Sequence, residues 1–373
     1  MENKITTLIS KLSADLREGR FGKSGEYFIT TRQLSADYNT SIDSACKIMA
    51  ELCRLRLIRL HGKRYYITTG YASPQSPYGK QLVRNQRNLL GMIVNKIDHP
   101  FFSALTKELC KAAAEAGYTL LISSSSNQVQ REAEIIDEFI SLGVSGIFTC
   151  PGIDDELLDV YTLCPLPVVS LGRNLGIPHC DAVLVDNYSA GSQVADHLRK
   201  IGCTKFAYVG IKKYLETDPR RSGYTDRLRS FGCDLPSENI LEVDYHHDNF
   251  TDMEAVSVKI THILKRLNGS EKLGVFCYND LLATATLQRI KQYSRTSSRM
   301  YRIPEDVAIV GFDDLPIASV LTPALTSVSY RYVSITCQAL SIMLDYIRNP
   351  DHKPGTHEIF SSLCVRETTM KTI

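Results

Sequence analysis

The stretch from residue 273 to residue 315 constrains the fold more than any other part of the chain. Two apolar runs, residues 273–278 and 307–312, stop at the polar pairs Asn279-Asp280 and Asp313-Asp314. Apolar runs without polar alternation are typical of parallel strands that are buried on both faces. In open α/β sheets, ligands bind just beyond the carboxyl ends of such strands. We therefore expect Asn279 and Asp313 to face a ligand cleft; the alternative is that both only cap the helices that follow.

The chain from residue 88 onward alternates short apolar runs with helical patterns. The apolar runs at residues 89–94 and 118–122, for example, flank a helical pattern that ends at Gly117. Strands that alternate with helices of this length are typical of parallel, doubly wound sheets. Because the alternation restarts after Asp186-Asn187, we predict an α/β fold with two lobes. Neither GxGxxG nor GxxxxGK occurs, so a phosphate-binding loop is not expected.

The first 88 residues differ from the rest of the chain in charge. They hold 15 Lys and Arg against 7 Asp and Glu, whereas the remainder holds 28 against 34. A basic segment on an acidic body suggests that the small part meets a polyanion, although uneven surface charge alone would give the same count. Helical patterns in TTRQLSADY and SIDSACKIMAELCRLRLI precede two short strands around the turn at residues 61–63. This order predicts a winged helix-turn-helix.

The N-terminal segment also carries a family resemblance. Through TTRQLSADYNTS, the helix up to Leu52 and the segment LIRLHGKRYYIT, residues 4–69 resemble the DNA-binding domain of the GntR family of bacterial transcription regulators. The resemblance implies that the helix after the turn enters the major groove and that the wing follows the phosphates. It implies the DNA-contacting residues Arg32, Ser41, Asp43, Ser44, Lys47, Lys63 and Arg64.

One departure from the GntR pattern bears on specificity. Where the family usually carries arginines, this chain has Ile42 and Cys46. Fewer arginines mean fewer bidentate contacts to guanine, so the operator sequences of relatives cannot be assigned to this protein. The alternative for this small domain is that it binds a protein rather than DNA.

Residues 88–370 resemble the sugar-binding and dimerising region of the LacI/GalR family. The matching segments include LLGMIVNKIDHPFFSALTKELCKAAAEAGYTLLI, RRSGYTDRL, VFCYNDLLATATLQRI and IPEDVAIVGFDDLPIASVLTPALTSV. The resemblance implies two Rossmann-like, periplasmic-binding-protein-like lobes that close on an effector, with chain crossings near Asp186, Gly311 and Val328. A GntR-like head on a LacI-like body resembles the arrangement of the arabinose repressors.

Domain boundaries follow from these two resemblances. We expect a DNA-binding domain at residues 1–70, a linker rich in Pro, Gly and Ser at 71–88, and an effector-binding and dimerisation domain at 89–373. Within the last domain, the first lobe is expected at 89–187 and 312–328, and the second at 188–311 and 329–373.

The LacI/GalR resemblance also implies the effector contacts. Arg220 opens RRSGY, and its guanidinium suits vicinal hydroxyls or a carboxylate. Asn279 and Asp313 match the two most regular polar contacts that the family makes to its ligand. Arg173 matches a common polar contact but lies in a variable loop. Phe101 or Phe102 would supply an apolar wall. Tyr330 and Tyr332 would close the cleft by stacking, unless they serve core or dimer packing.

Composition narrows the functional class. No apolar run approaches the roughly 18 residues of a membrane span, and the start MENKITTLISKLSADLREG lacks the features of a signal peptide, so we expect a cytoplasmic protein. The 11 cysteines are scattered without a CxxC pair, which favours buried thiols over zinc or disulfides. No nucleophile elbow or zinc-ligand spacing is present. We expect neither an enzyme nor a metal or cofactor.

Together with these patterns, the two resemblances imply a sequence-specific repressor of carbohydrate-use genes. It would act as a homodimer, bind double-stranded operator DNA, leave it when a small sugar binds, and have no membrane partner. Three alternatives stay open: a regulator with a non-sugar co-repressor such as a purine, a stand-alone sugar receptor, and a sugar-modifying enzyme.

Overall fold

The chain folds into a small head and two α/β lobes. The computed structural model describes residues 2–22, 26–54, 57–61, 64–67, 88–152, 156–177, 179–244, 253–349 and 351–370. The linker predicted at 71–88 lies almost entirely outside these ranges, as does Lys63. Within the described ranges, no helix is long and apolar enough to cross a bilayer.

The head consists of three helices followed by an antiparallel hairpin. Its elements are α1 (Glu2–Arg17), α2 (Thr31–Asp37), α3 (Ile42–Arg54), β1 (Ile58–His61) and β2 (Arg64–Ile67). Thr30 starts α2 with a capping box, in which its hydroxyl accepts from Gln33 N and the Gln33 side chain accepts from Thr30 N. One face of α3 (Ala45, Ile48, Met49 and Leu52) is fully buried in a core of its own with α1 and α2.

The first lobe is a parallel six-stranded sheet with helices on both faces. Its strands, in spatial order, are β13 (Thr356–Ile359), β7 (Cys180–Val185), β6 (Val168–Leu171), β5 (Ile147–Thr149), β3 (Leu89–Val94) and β4 (Thr119–Ser124). Its helices are α4 (Pro100–Glu115), α5 (Val129–Leu142), α6 (Glu156–Thr162) and α12 (Tyr332–Arg348).

The second lobe repeats this plan with one antiparallel edge strand. Its strands, in spatial order, are β14 (Ser362–Cys364), β12 (Thr326–Ser329), β11 (Val307–Asp313), β10 (Leu273–Cys277), β8 (Lys205–Ile211) and β9 (Ile240–Val243). Its helices are α7 (Asn187–Lys200), α8 (Pro219–Ser230), α9 (Met253–Arg266), α10 (Asp280–Thr296) and α11 (Pro316–Val320). The predicted α/β fold with two parallel-sheet lobes is confirmed.

The assignment of segments to the two lobes needs correction. The expected crossing at Gly311 is wrong, because β11 pairs with β10 on one side and with β12 on the other, which holds residues 312–328 in the second lobe. Residues 329–373 do not all belong to the second lobe, since α12 packs on α4 and β13 pairs with β7 of the first. The chain crosses at Asp186, at residues 329–331 and at residues 360–361.

Both faces of the central strands of each sheet are buried, as the unbroken apolar runs predict. In β8, Phe206 and Tyr208 point into one hydrophobic cluster while Ala207 and Val209 point into another on the opposite face. The alternation of side chains along a strand produces this division. A strand covered by helices on both sides therefore needs no polar face.

Candidate functional site

A cavity of about 550 Å³ lies between the lobes at the carboxyl ends of β3, β8, β10 and β11. Seven of the eight residues expected to contact an effector line it: Phe101, Phe102, Arg173, Arg220, Asn279, Asp313 and Tyr330. It also contains polar and aromatic residues that sequence reasoning missed, among them Asn95, His99, Asn127, Asn187, Tyr214, Asp218 and Tyr278. Several of these also follow the strand ends, and this position is the signal that would have found them.

Asn279 both caps a helix and lines the cavity. Its Oδ1 accepts a hydrogen bond from Leu282 N at 2.9 Å, which starts α10. Asn279 therefore has both roles, helix cap and cavity lining, which sequence reasoning treated as alternatives. Because the side-chain oxygen is used in the cap, the amide nitrogen is the atom that Asn279 can offer to a ligand.

Asp313 ends β11 in an unusual backbone conformation. Its φ is +100°, and that of the following Asp314 is +52°, in the region that favours glycine. Such strain persists only where the surrounding structure enforces it, and it turns the chain sharply at the cavity. The carboxyl is only 4% exposed. Burial raises its pKa to about 7, although the nearby Arg220 acts in the opposite direction.

A buried carboxyl behind Asp313 holds the turn in place. Asp280 is fully buried; its Oδ2 accepts from Leu315 N at 2.7 Å and its Oδ1 from Ser327 Oγ at 2.5 Å. Burial and the neighbouring Asp313 raise its pKa well above the usual range. Asp280 thus joins the start of α10 to the segments after β11 and in β12, and it supports the cavity wall without lining the cavity.

The guanidinium of Arg220 is held by two aromatic rings and by hydrogen bonds. It lies 3.7 Å from the ring centroid of Phe312 and 4.5 Å from that of Tyr278. Its Nη1 donates to Tyr278 O at 2.6 Å, and its Nε donates to Asn187 Oδ1 at 3.2 Å. Burial alone would lower the pKa of Arg220, but the neighbouring Tyr278 and Asp313 raise it overall, so the group is a fixed cation.

The start of α8 positions this arginine. Asp218 caps the helix, with its Oδ1 accepting from Arg220 N at 3.1 Å and its Oδ2 accepting from the hydroxyl of Tyr208. Arg220 is therefore fixed at its backbone as well as at its head group. A preorganised cation of this kind loses little conformational entropy when a ligand binds.

Aromatic rings form another part of the cavity wall. Phe101 contacts Tyr330 edge-on, with centroids 4.6 Å apart, and Phe102 at 5.2 Å. Sequence reasoning favoured only one of the two phenylalanines, whereas both line the cavity. Arg173, from the loop after β6, lines it too and donates through Nη1 to Gly152 O.

Tyr332 lies elsewhere, contrary to expectation. It packs behind the wall, 5.8 Å from Phe101 and 5.6 Å from Tyr330 between ring centroids. It lines a second cavity of about 790 Å³ between α4 and the turn at Asp314. The physical reason is Arg331, whose left-handed backbone (φ +53°) starts α12 and turns the chain between the two tyrosines. The second cavity is larger, but the buried charges gather in the first, which we take as the candidate site.

In the head, most of the residues expected to contact DNA lie on the surface. Arg32, Ser41, Asp43, Lys47 and Arg64 are exposed, and Ser44 is half-buried. Lys47 Nζ is 3.1 Å from Asp43 Oδ2, one turn apart on α3. Ser41 caps α3 by accepting from Ser44 N at 3.1 Å. The guanidinium of Arg64 lies over the ring of Tyr27, 4.9 Å from its centroid.

Among the residues that the structure describes, no three His, Cys, Asp or Glu side chains gather as metal ligands. The polar groups of the interlobe cavity include two arginines, carboxyls and amides. This arrangement can recognise a polar small molecule by hydrogen bonding and stacking.

Comparison with known proteins agrees with this geometry. Residues 195–369 match the family described as periplasmic binding protein-like domain. The HTH-type transcriptional repressor CytR of Escherichia coli (strain K12) is 25% identical over 302 residues, which cover 79% of this chain and 82% of CytR. The HTH-type transcriptional repressor PurR of Aliivibrio fischeri (strain MJ11) is 22% identical over 301 residues, which cover 80% of this chain and 86% of PurR.

A solved structure shares the fold of the two lobes. It is the periplasmic binding protein/LacI transcriptional regulator from Alkaliphilus metalliredigens QYMF complexed with D-xylulofuranose, with a TM-score of 0.63 and 23% identity over 76% of this chain and 100% of that one. The relatives found are transcription regulators rather than enzymes. The chain thus contains a match to the periplasmic binding protein-like domain family over residues 195–369 and is similar to HTH-type transcriptional repressors over about four-fifths of its length.

Proposed function

We propose that this protein is a homodimeric, DNA-binding repressor of carbohydrate-use genes that leaves its operator when a monosaccharide binds between the lobes. The observation that carries the proposal is the convergence of Arg220, Asn279 and Asp313 on one cavity that the ring of Phe101 also lines. A fixed cation, an amide and a carboxyl together with an aromatic wall suit a small molecule with many hydroxyl groups and apolar C–H faces.

The size of the cavity supports a small effector. Its volume of about 550 Å³ lies within the range of roughly 300–1,000 Å³ typical of small-molecule sites. The regulator from Alkaliphilus metalliredigens, which shares the fold, was solved with D-xylulofuranose. A monosaccharide fits both observations.

The proposed response is a change in lobe closure. Phe101, Phe102 and Arg173 belong to the first lobe, while Arg220, Asn279 and Asp313 belong to the second. A ligand that contacts both lobes binds the closed arrangement more tightly and shifts the population toward it. In a dimer, the closure would alter the spacing of two heads and weaken binding to a two-fold operator.

For the head we propose a GntR-type winged helix-turn-helix at residues 1–70, with a linker at 71–88. Three helices followed by an antiparallel hairpin support this reading, as does the excess of Lys and Arg in this segment. The helix α3 would enter the major groove with Ser41, Asp43, Ser44 and Lys47, while Arg32 and Arg64 would lie near phosphates. Operator affinity should then fall steeply with salt.

A thermal-shift screen tests the proposal. Purified protein would be heated with pentoses, hexoses, uronic acids and purine bases, because a ligand specific for the folded state raises Tm with its concentration. We expect one sugar to raise Tm in the wild type but not in Asp313→Ala, and to release the protein from operator DNA in a gel-shift assay. Ser103→Ala, on the second cavity, is the matched control and should keep the response.

Two outcomes would contradict the proposal. Turnover of the sugar would favour the enzyme alternative, and an absence of any response to sugars would remove the sugar as effector. A response to a purine alone would support the co-repressor alternative. The nearly parallel rings of Tyr214 and Tyr278, 6.2 Å apart in the cavity, favour that second candidate because they could stack on a planar base.

A further inference from the structure

We infer that α3 recognises thymine methyl groups in its operator through an apolar stripe formed by Ile42, Cys46 and Ala50. This inference rests on the proposed DNA-binding function of the head. It concerns which bases are read, which the proposed function leaves open.

The stripe lies on the surface of α3. Ile42 is 51% exposed, and Cys46 and Ala50 are exposed as well. Their spacing of four residues places them one above the other along one side of the helix. None of the three belongs to the buried face that packs on α1 and α2. The head core therefore gives no reason for an isoleucine at this place.

The polar side chains beside the stripe are engaged with one another. Asp43 and Lys47 form an ion pair at 3.1 Å, so the ammonium group of Lys47 already has an anionic partner. The hydroxyls of Ser41 and Ser44 are 2.9 Å apart, and Ser41 also caps the helix. Guanine is read by cationic donors that reach O6 and N7, and this surface offers few of them.

Thymine is the base whose chemistry fits this surface. Its C5 methyl group projects into the major groove, and aliphatic side chains contact it there. The general attraction to the duplex would come from the phosphates, for which the head and the linker together (residues 1–88) supply 15 Lys and Arg against 7 Asp and Glu. Base recognition and phosphate attraction would thus be carried by different groups.

The test begins with operator selection. Full-length protein would be used to select duplexes from a randomised library, and each thymine of the selected site would then be replaced by deoxyuridine, which lacks only the methyl group. Fluorescence anisotropy at one salt concentration gives Kd for each duplex. We expect at least one thymine in each half-site at which the replacement weakens binding about four-fold, the effect of removing one buried methyl group.

A side-chain variant assigns the contact. In Ile42→Ala, the same deoxyuridine replacement should cost little or nothing further, because the partner of the methyl group is gone. Ile97→Ala is the matched control, since Ile97 is similarly exposed at 57% but lies in the first lobe. This control should keep the full four-fold sensitivity.

The outcomes separate the inference from the proposed function. If the protein selects a sequence but tolerates deoxyuridine at every thymine, or if Ile42→Ala keeps the sensitivity, the inference is wrong and the DNA-binding function stands. If the selection yields no preferred sequence, both are wrong. A methyl effect that disappears in Ile42→Ala supports both.

Discussion

Gly191 of α7 lies so close to the backbone of Arg220 that a Cβ atom at this position would be 2.0 Å from Arg220 O. The contact is reciprocal, because a Cβ at Gly223 of α8 would be 1.9 Å from Tyr188 O. Two glycines facing each other's helix allow α7 and α8 to approach closely. The position of Arg220 in the interlobe cavity therefore depends on a glycine 29 residues earlier in the chain.

Substituting Gly191→Ala should disturb both stability and effector binding. The added methyl group meets backbone, which cannot rotate away, so α8 must shift and carry Arg220 with it. We expect a loss of about 1–3 kcal/mol in the free energy of unfolding, as for other overpacked sites, measured by urea denaturation, and a weaker effector response. Gly269→Ala is the control, since nothing lies within 4 Å of a Cβ there. Equal stabilities of the two variants would contradict the close contact.

The carboxyl of Asp313 should make stability depend on pH. Its pKa is raised to about 7 by burial, whereas the unfolded chain titrates near about 4. Between these values the folded state binds more protons, so the free energy of unfolding falls as pH rises and the loss is complete above about 7. We expect the wild type to lose roughly 1–3 kcal/mol more than Asp313→Asn between about pH 5 and 8. Urea denaturation at both pH values measures this, and parallel losses would refute it.

The contribution of His352, which lies between two carboxylates in the first lobe, to stability should also depend on pH. His352 Nε2 lies 2.8 Å from Asp181 Oδ2, and its Nδ1 lies 2.6 Å from Asp345 Oδ2. Burial by itself lowers the pKa of His352, but its hydrogen bonds to the two carboxylates outweigh this effect and raise it.

The stabilisation from His352 is full below about pH 6.5, the pKa of an unfolded histidine, and is lost as pH rises through the higher folded value. The variant His352→Gln should therefore lower Tm more at about pH 6 than at about pH 9. The exposed His262 provides a control, His262→Gln. An equal loss at both pH values would mean that the imidazolium charge contributes nothing.

The ion pair on α3 should limit the contact of Lys47 with phosphates. In Asp43→Asn, Lys47 loses its partner at 3.1 Å and becomes free to neutralise a phosphate. The slope of log Kobs against log salt for a random duplex should then steepen by about 0.9, the value for one additional phosphate contact. Asp37→Asn removes the same charge from α2 and tests whether net charge alone explains the change. Identical slopes for both variants would favour net charge.

The two lobes and the polar ends of their central strands were predictable from local pattern. The apolar runs before Asn279 and Asp313 have no polar alternation because both faces of those strands are covered. A chain that must bury both faces of a strand and still bind a polar ligand has its polar residues at the strand end. The hydrophobic pattern of a strand is a property of its own residues, so it can be recognised without knowing which segments pack against that strand.

Tertiary structure alone decided which strands share a sheet and which side chains share a cavity. The expectation that residues 312–328, and with them most of β12, belong to the first lobe was wrong because strand pairing joins residues far apart in sequence, as in the pair Gly311 and Ser327. Tyr330 and Tyr332 look equivalent in the sequence, yet the left-handed Arg331 sends them to different cavities. The approach of Gly191 to Arg220 depends on two helices meeting. Such contacts arise from packing between distant segments of the chain, and the hydrophobic pattern along the sequence carries no information about that packing.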